Sequence, residues 1–261
     1  FVGGCVRKIL NKEIFDDIDL AVNLSPNKMS EIFKKNNIKF YETGAEHGTI
    51  TALINGKKFE ITSLRKDIST DGRHAKVEFF NDWYEDASRR DFTINAIYSD
   101  IHGNLYDPFN GKKDLEIGEV IFIGEAEKRI KEDYLRILRY VRFFLNYSKK
   151  DHDPIIVKTI KKNLDGLNKI SSERLLDEFK KLISSNNFIN LMNDQFSLDI
   201  IKLIFPQFKN IDIFKKLNSF AKQNINKVDF IFLVSLMVID GSDNPDYFFY
   251  KFNISKKDQK R

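Results

Sequence analysis

The sequence predicts an α+β head followed by an all-helical remainder. Up to Gly124, short strand-like runs alternate with turn signals and brief helical stretches. Beyond Gly124, apolar residues recur every three to four positions, the period of a helix with one buried face. No run approaches the roughly 20 apolar residues that a membrane-crossing helix needs.

The elements follow in order. Gly3-Gly4 stands at the mouth of a helix, and Ile18 to Val22 reads as a strand. Ser25-Pro26 is an N-cap with proline at the first helical position, opening a helix to about Lys35. Residues 49–54 and 58–64, joined by Asn55-Gly56, read as a β-hairpin. Residues 66–82 are polar without periodicity and are expected to form a mobile loop. A short helix over 83–88, a strand over 96–99, the turn His102-Gly103-Asn104 and a strand over 120–123 complete the head. Between the last two, Asp107-Pro108, Gly111 and Asp114-Leu115 read as a turn-rich connector. One helix is then predicted over 125–146, with Ile130, Tyr134, Ile137, Leu138, Val141 and Leu145 as its apolar stripe. Leu175, Leu176, Phe179, Leu182 and Ile183 form a second stripe.

The 261 residues suffice for two domains, and a formal net charge of +5 points to an acidic partner such as nucleic acid. The wealth of lysine, asparagine, isoleucine and phenylalanine fits an AT-rich genome, which accounts for most of the lysine. Cys5 is the sole cysteine, so an internal disulfide is impossible, a reducing compartment is expected, and the thiol reads as a small buried residue. The four histidines lack ligand spacing, so no zinc site is read. The chain opens inside a strand-like run and stops just after Ser255 caps a new helix, so both ends are expected to be truncated.

Four constellations carry chemistry. Glycines at Gly3 and Gly4 let a backbone approach polyphosphate closely. On a strand, Asp17 and Asp19 would project side by side and share hard divalent cations, although two solvated aspartates on a surface turn would look the same. Glu60, in Phe59-Glu60-Ile61, is either a third carboxylate of that metal site or an outward residue of an alternating strand. Arg89, Arg90, Asp91 and Asn95 could grip a triphosphate and a ribose hydroxyl, or could simply close a helix. Opposite the stripe of the 125–146 helix lie Arg129, Glu132, Arg136, Arg139 and Phe143. Asp133 and Arg136, spaced i, i+3, form either a surface ion pair or a donor–acceptor pair matching the edge that cytosine and adenine share.

In this order the motifs resemble those of the class II tRNA nucleotidyltransferases, the CCA-adding enzymes of the polymerase-β superfamily. The resemblance runs over residues 1–185. Its most specific parts are Gly3-Gly4-x-Val6-Arg7, Asp17-x-Asp19, Arg89-Arg90-Asp91-Phe92-Thr93-Ile94-Asn95 and Glu132-Asp133-x-Leu135-Arg136-x-Leu138-Arg139. Ser172-Glu173-Arg174-x-x-x-Glu178 resembles a helix-stabilising motif of the family, and Asp71-Gly72-Arg73-His74-Ala75 the flexible loop of its α-proteobacterial and mitochondrial branch. Lys8 departs from the family's usual aspartate.

The resemblance implies a polymerase-β-like catalytic head over 1–124, a helical neck over 125–185 that recognises the base, and a helical body over 186–261, with the family's tail expected to be absent. It implies two Mg²⁺ ions on Asp17 and Asp19, with Glu60 a further catalytic carboxylate. Nucleotide contacts are implied for Gly3, Gly4, Arg7, Arg89, Arg90, Asp91, Asn95, Asp133, Arg136 and Arg139, and a loop assisting the change from C to A for Asp71, Gly72 and Arg73. The expected activity is template-free addition of CCA, from CTP and ATP, to the 3′ end of tRNA. The alternatives are a poly(A) polymerase, a CC-only or A-only enzyme, and an inactive RNA-binding module. The poly(A) alternative ranks lower because Gly44 to Thr49 stands where those enzymes usually carry Arg-Arg-Phe. No membrane partner is expected; the compartment is the cytoplasm or the mitochondrial matrix.

Overall fold

The computed structural model describes residues 1–15, 17–45, 48–70, 75–79 and 82–259. Two compact units divide the chain: Phe1–Asp133 with Lys149–Asp151, and Tyr134–Ser148 with His152–Arg261.

The first unit opens with helix α1 (Gly4–Leu10) and strand β1 (Asp19–Val22), followed by α2 (Pro26–Lys35). Ser25 caps α2 as its sequence predicts, accepting from the Lys28 amide. Strands β2 (Lys39–Gly44), β3 (Thr49–Ile54) and β4 (Lys57–Ser63) complete a sheet in the order β1-β4-β3-β2. The β3–β4 hairpin turns at Asn55-Gly56, both with positive φ (50° and 76°), as a tight hairpin turn demands. β1 and β4 run parallel, and their register sets Asp19 opposite Glu60 and Leu20 opposite Ile61. Side chains alternate between faces. Leu20, Val22, Phe59 and Ile61 pack with Met29 and Ile50 on one face. Asp19, Glu60 and Thr51 form a row on the other.

The expected loop over 66–82 contains a ribbon instead: β5 (Arg65–Thr70) pairs antiparallel with β6 (Ala75–Phe79). A two-stranded ribbon is held by its backbone ladder and needs no apolar face, so hydrophobic periodicity does not reveal it. Asp71, Gly72 and Arg73 lie outside the described residues.

Helix α3 (Trp83–Ser88) forms where expected. The strand expected over 96–99 is shorter. A 3-10 turn occupies Thr93–Asn95, and only β7 (Tyr98–Ser99) pairs, with β8 (Leu105–Tyr106), across the predicted turn at Gly103. The connector holds a further helix, α4 (Gly111–Ile117), closed by Gly118 with φ 72°. The strand expected over 120–123 reduces, among the described residues, to the bridge Phe92–Phe122. Its flanking hydrogen bonds run from Thr93 N to Ile121 O and from Ile123 N to Asp91 O.

The single helix expected over 125–146 is two: α5 (Ala126–Glu132) and α6 (Leu135–Tyr147). Asp133 between them is extended, with φ −154° and ψ 104°. Tyr134 explains the break. Its ring packs so closely on Gly166 that any side chain there would collide with it, and Lys169 Nζ lies 5.5 Å from the ring centre. That packing outweighs the propensity of the segment to continue as a helix. Phe143, expected opposite the stripe, is buried at 2% exposure.

The second unit is helical throughout its described residues: α6, α7 (Pro154–Lys162), α8 (Ser172–Ile183), α9 (Gln195–Ile204), α10 (Ser219–Asn224), α11 (Phe230–Val238), α12 (Asn244–Lys251) and α13 (Lys256–Gln259), with short 3-10 turns. Its core is aromatic. Phe179 lies 4.9 Å from both Phe205 and Phe208, and Phe248 lies 4.6 Å from Phe252.

Candidate active site

Gly3 adopts φ 68° and ψ −119°, a conformation costly for any side chain, and its amide donates to Ile97 O. A Cβ on Gly3 would lie 3.2 Å from Arg90 Nη1, and one on Gly4 would lie 4.0 Å from Asp19 Oδ2 and 3.9 Å from Arg7 Nη2. One small area therefore gathers the glycine pair, Arg7, Asp19 and Arg90.

β1 begins at Asp19, so Asp17 lies ahead of the strand rather than on it. Asp17 is exposed and Asp19 half-buried. The Asp19 carboxyl titrates above its ordinary range: burial raises it most and the Asp17 charge adds to this, against the pull of Arg90 and Arg7. Glu60 is exposed in register with Asp19. Among the described residues, no three His, Cys, Asp or Glu side chains form a ready-made metal cage.

Arg7, Asn95 and Asp91 form a buried chain. Arg7 Nη1 donates to Asn95 Oδ1, and Asn95 Nδ2 donates to Asp91 Oδ1 (2.8 Å), which also accepts from Phe92 N (2.9 Å). The turn carrying Asn95 is backed by α4. Thr93 Oγ1 donates to the buried Asp114 (2.6 Å), and a side chain at Gly111 would collide with Thr93 O.

Arg89 and Arg90 converge on Asp86, which is 1% exposed. Burial alone would push the Asp86 carboxyl up. The two guanidinium charges and the Tyr98 hydroxyl outweigh it and hold the carboxyl below its ordinary range. Arg129 donates to the carbonyls of both Arg89 and Arg90 and pairs with Glu132 at 2.6 Å. The sequence reasoning missed Asp86, Tyr98 and Asp114. The i, i+3 and i, i+4 spacing of Asp86 to the two arginines was the available signal for the first.

Asp133 closes the first unit, whereas Arg136 and Arg139 belong to α6 in the second. The shared helix face that motivated pairing Asp133 with Arg136 is therefore absent. Arg139 Nη1 lies 3.6 Å from Glu178 of α8, whose 1% exposed carboxylate also accepts from Arg142 Nε.

Residues 1–121 match the model of the poly(A) polymerase head domain, and residues 153–212 match that of the probable RNA- and SrmB-binding site of polymerase A. The chain belongs to the class II tRNA nucleotidyltransferase and poly(A) polymerase family. Within that family it is 44% identical over 220 residues to the human mitochondrial CCA tRNA nucleotidyltransferase 1, covering 83% of this chain and 51% of the relative. It is 40% identical over 184 residues to the CCA-adding enzyme of Lactobacillus johnsonii, covering 70% of this chain and 45% of the relative. The crystal structure of the Bacillus stearothermophilus CCA-adding enzyme in complex with CTP superposes with a TM-score of 0.68 at 26% identity, covering 90% of this chain and 63% of that one. The chain thus spans about half the length of the curated relatives it matches. Nucleotidyltransferases of this family generally use divalent metal ions. Among the described residues, no helix is long and apolar enough to cross a membrane.

Proposed function

We propose that the chain is the nucleotide-handling part of a CCA-adding tRNA nucleotidyltransferase, which joins CMP and AMP units from CTP and ATP to the 3′ end of tRNA. The observation that carries this is the gathering of Gly3, Gly4, Asp19 and Arg90 in one area, with half-buried Asp19 titrating high. A carboxylate disfavoured by burial and by a neighbouring carboxylate gains most from a bound cation.

Asp17 and Asp19 would hold two Mg²⁺ ions, together with substrate phosphates. Bound there, the ions would supply charge neutralisation for attack by the RNA 3′-hydroxyl and for departure of pyrophosphate. In the transfer, the 3′-hydroxyl gives up its proton to a neighbouring carboxylate or to water, its oxygen forms a bond to the α-phosphorus, the bond from that phosphorus to the β-phosphate oxygen breaks, and pyrophosphate leaves. Arg90 offers donors to the phosphates. The glycine turn keeps side chains from the space beside it. The buried Arg7–Asn95–Asp91 chain fixes the turn behind the site, and Glu60 stands in register to serve as a further carboxylate.

Base selection is assigned to Asp133 and Arg136 on the match of Glu132-Asp133-x-x-Arg136 to the family motif. The compartment assigned is the mitochondrial matrix or the cytoplasm; the human relative's name supports the first. Product lengths on a tRNA lacking CCA, with CTP, ATP or both supplied, test the proposal. Addition of two C residues with CTP and of a terminal A only when ATP is added supports it. A run of A residues with ATP alone points to a poly(A) polymerase, and no extension at all sinks the catalytic reading.

A further inference from the structure

Asp86, within α3, is the centre of a buried hydrogen-bond network. Its Oδ1 accepts from Arg89 Nε (2.9 Å) and Nη2 (2.7 Å), and its Oδ2 accepts from Arg90 Nη2 (3.1 Å) and the Tyr98 hydroxyl (2.7 Å). Arg90 Nε donates in turn to the Tyr98 oxygen (3.2 Å), with the guanidinium carbon 5.4 Å from that ring's centre. From another side, Arg129 holds the carbonyl of Arg90 (2.6 Å). Two of the three nitrogens of Arg90 are therefore fixed. The third, Nη1, makes no hydrogen bond among the described residues and faces Gly3, where a Cβ would lie 3.2 Å away. That donor lies in the small area that also holds Asp19, whose charge Arg90 attracts.

We propose that Asp86 is a positioning residue: with Tyr98 it locks the Arg90 guanidinium so that Nη1 is presented, beside the Gly3-Gly4 turn, to a phosphate oxygen of the bound nucleoside triphosphate. This rests on the nucleotide role given to the site above. A free arginine side chain loses rotamer freedom when it grips a ligand, and ordering it at folding removes that cost from binding. Arg89, held on the other oxygen, keeps Asp86 ionised and in place.

The test is the affinity of the chain for CTP and for CMP in Mg²⁺ buffer, measured by calorimetry on the wild type, Asp86→Asn, Arg90→Gln, the double variant and Tyr98→Phe. Loss of one charge-assisted bond to phosphate should weaken CTP binding by about tenfold in Arg90→Gln and in Asp86→Asn, and CMP binding little in either. The double variant should bind CTP no more weakly than Arg90→Gln, because both changes break one path. Tyr98→Phe should weaken CTP by about threefold, the scale of one neutral hydrogen bond. A folded Asp86→Asn with wild-type CTP affinity, or losses that multiply in the double variant, would overturn the clamp while the Arg90→Gln loss still supports the nucleotide site. Unchanged CTP affinity in Arg90→Gln would overturn both. Should Asp86→Asn not fold, Tyr98→Phe carries the same test: wild-type affinity there counts against the clamp.

Discussion

Helix α3 and the start of β1 each set a carboxylate near Arg90, and the two carboxylates reach opposite states. Asp86 is buried, accepts four hydrogen bonds and is held below its ordinary range. Asp19 is half-buried, has Asp17 as a neighbour and is pushed above its ordinary range. The difference separates two uses of charge. Where protein donors meet a carboxylate fully, the charge holds the fold. Where burial exceeds the compensation the protein supplies, the charge weakens the fold, and the cation site proposed for Asp19 would relieve that cost.

Four experiments can break or sharpen this contrast. The largest effect is expected at Asp19. Asp19→Asn should lower nucleotide addition by about 10³-fold or more, for C and A alike, because removal of the metal ligand proposed here would take away several kcal/mol of transition-state stabilisation. The same variant should melt higher than wild type at pH 7 without divalent ions. A carboxyl whose folded pKa is raised weakens the fold increasingly as pH rises from about 4 through the folded value, and the amide removes that penalty. Single-turnover rates and calorimetry check both halves; a lower Tm would break the contrast.

Next comes Glu178, a satisfied carboxylate of the second unit, joined to Arg139 and Arg142 across α6 and α8. Breaking a buried pair strands its partner, so Glu178→Gln should cost about 3 kcal/mol in denaturant unfolding. A cost near zero would show that burial and pairing here do not hold the fold.

A charge assigned to substrate should behave otherwise. Arg136→Ala should raise use of UTP or GTP relative to CTP and ATP by about 1–3 kcal/mol of lost selectivity, the worth of a hydrogen bond left unmade to a buried polar edge. The check is kcat/KM for the four nucleotides, and an unchanged ratio would return Arg136 to the structural class. The smallest effect is a slope. The depressed Asp86 carboxyl contributes stability that is present above about pH 4 and lost as pH falls below it. The stability gap between wild type and Asp86→Asn should therefore narrow in acid; a constant gap would remove ionisation from the account.

Much of the first unit was legible because local signals carried it. Ser25-Pro26 started its helix, Asn55-Gly56 turned its hairpin, and the Asp19 strand fell beside the Glu60 strand. The failures share a cause, which is contact with residues distant in sequence. α4 was hidden because its start at Gly111 is dictated by close approach to Thr93, and only Gly118 marked its end. The break at Asp133 was hidden because Tyr134 answers to Gly166. In the site, Arg89 and Arg90 were found but not Asp86, because i, i+3 and i, i+4 spacing alone does not show that the pairing is buried. The ribbon of β5 and β6 escaped because backbone pairing leaves no hydrophobic period.

The register of β1 on β4 bears on how the chain fares when it folds badly. Asp19 meets Glu60 only while Leu20 meets Ile61. Because β4 is held by its hairpin with β3, a slip of β1 by one residue would turn Asp19 toward the Met29–Ile50 core and expose Leu20. Molecules with a scrambled site would thus display apolar surface, the feature that makes misfolded chains prone to aggregate.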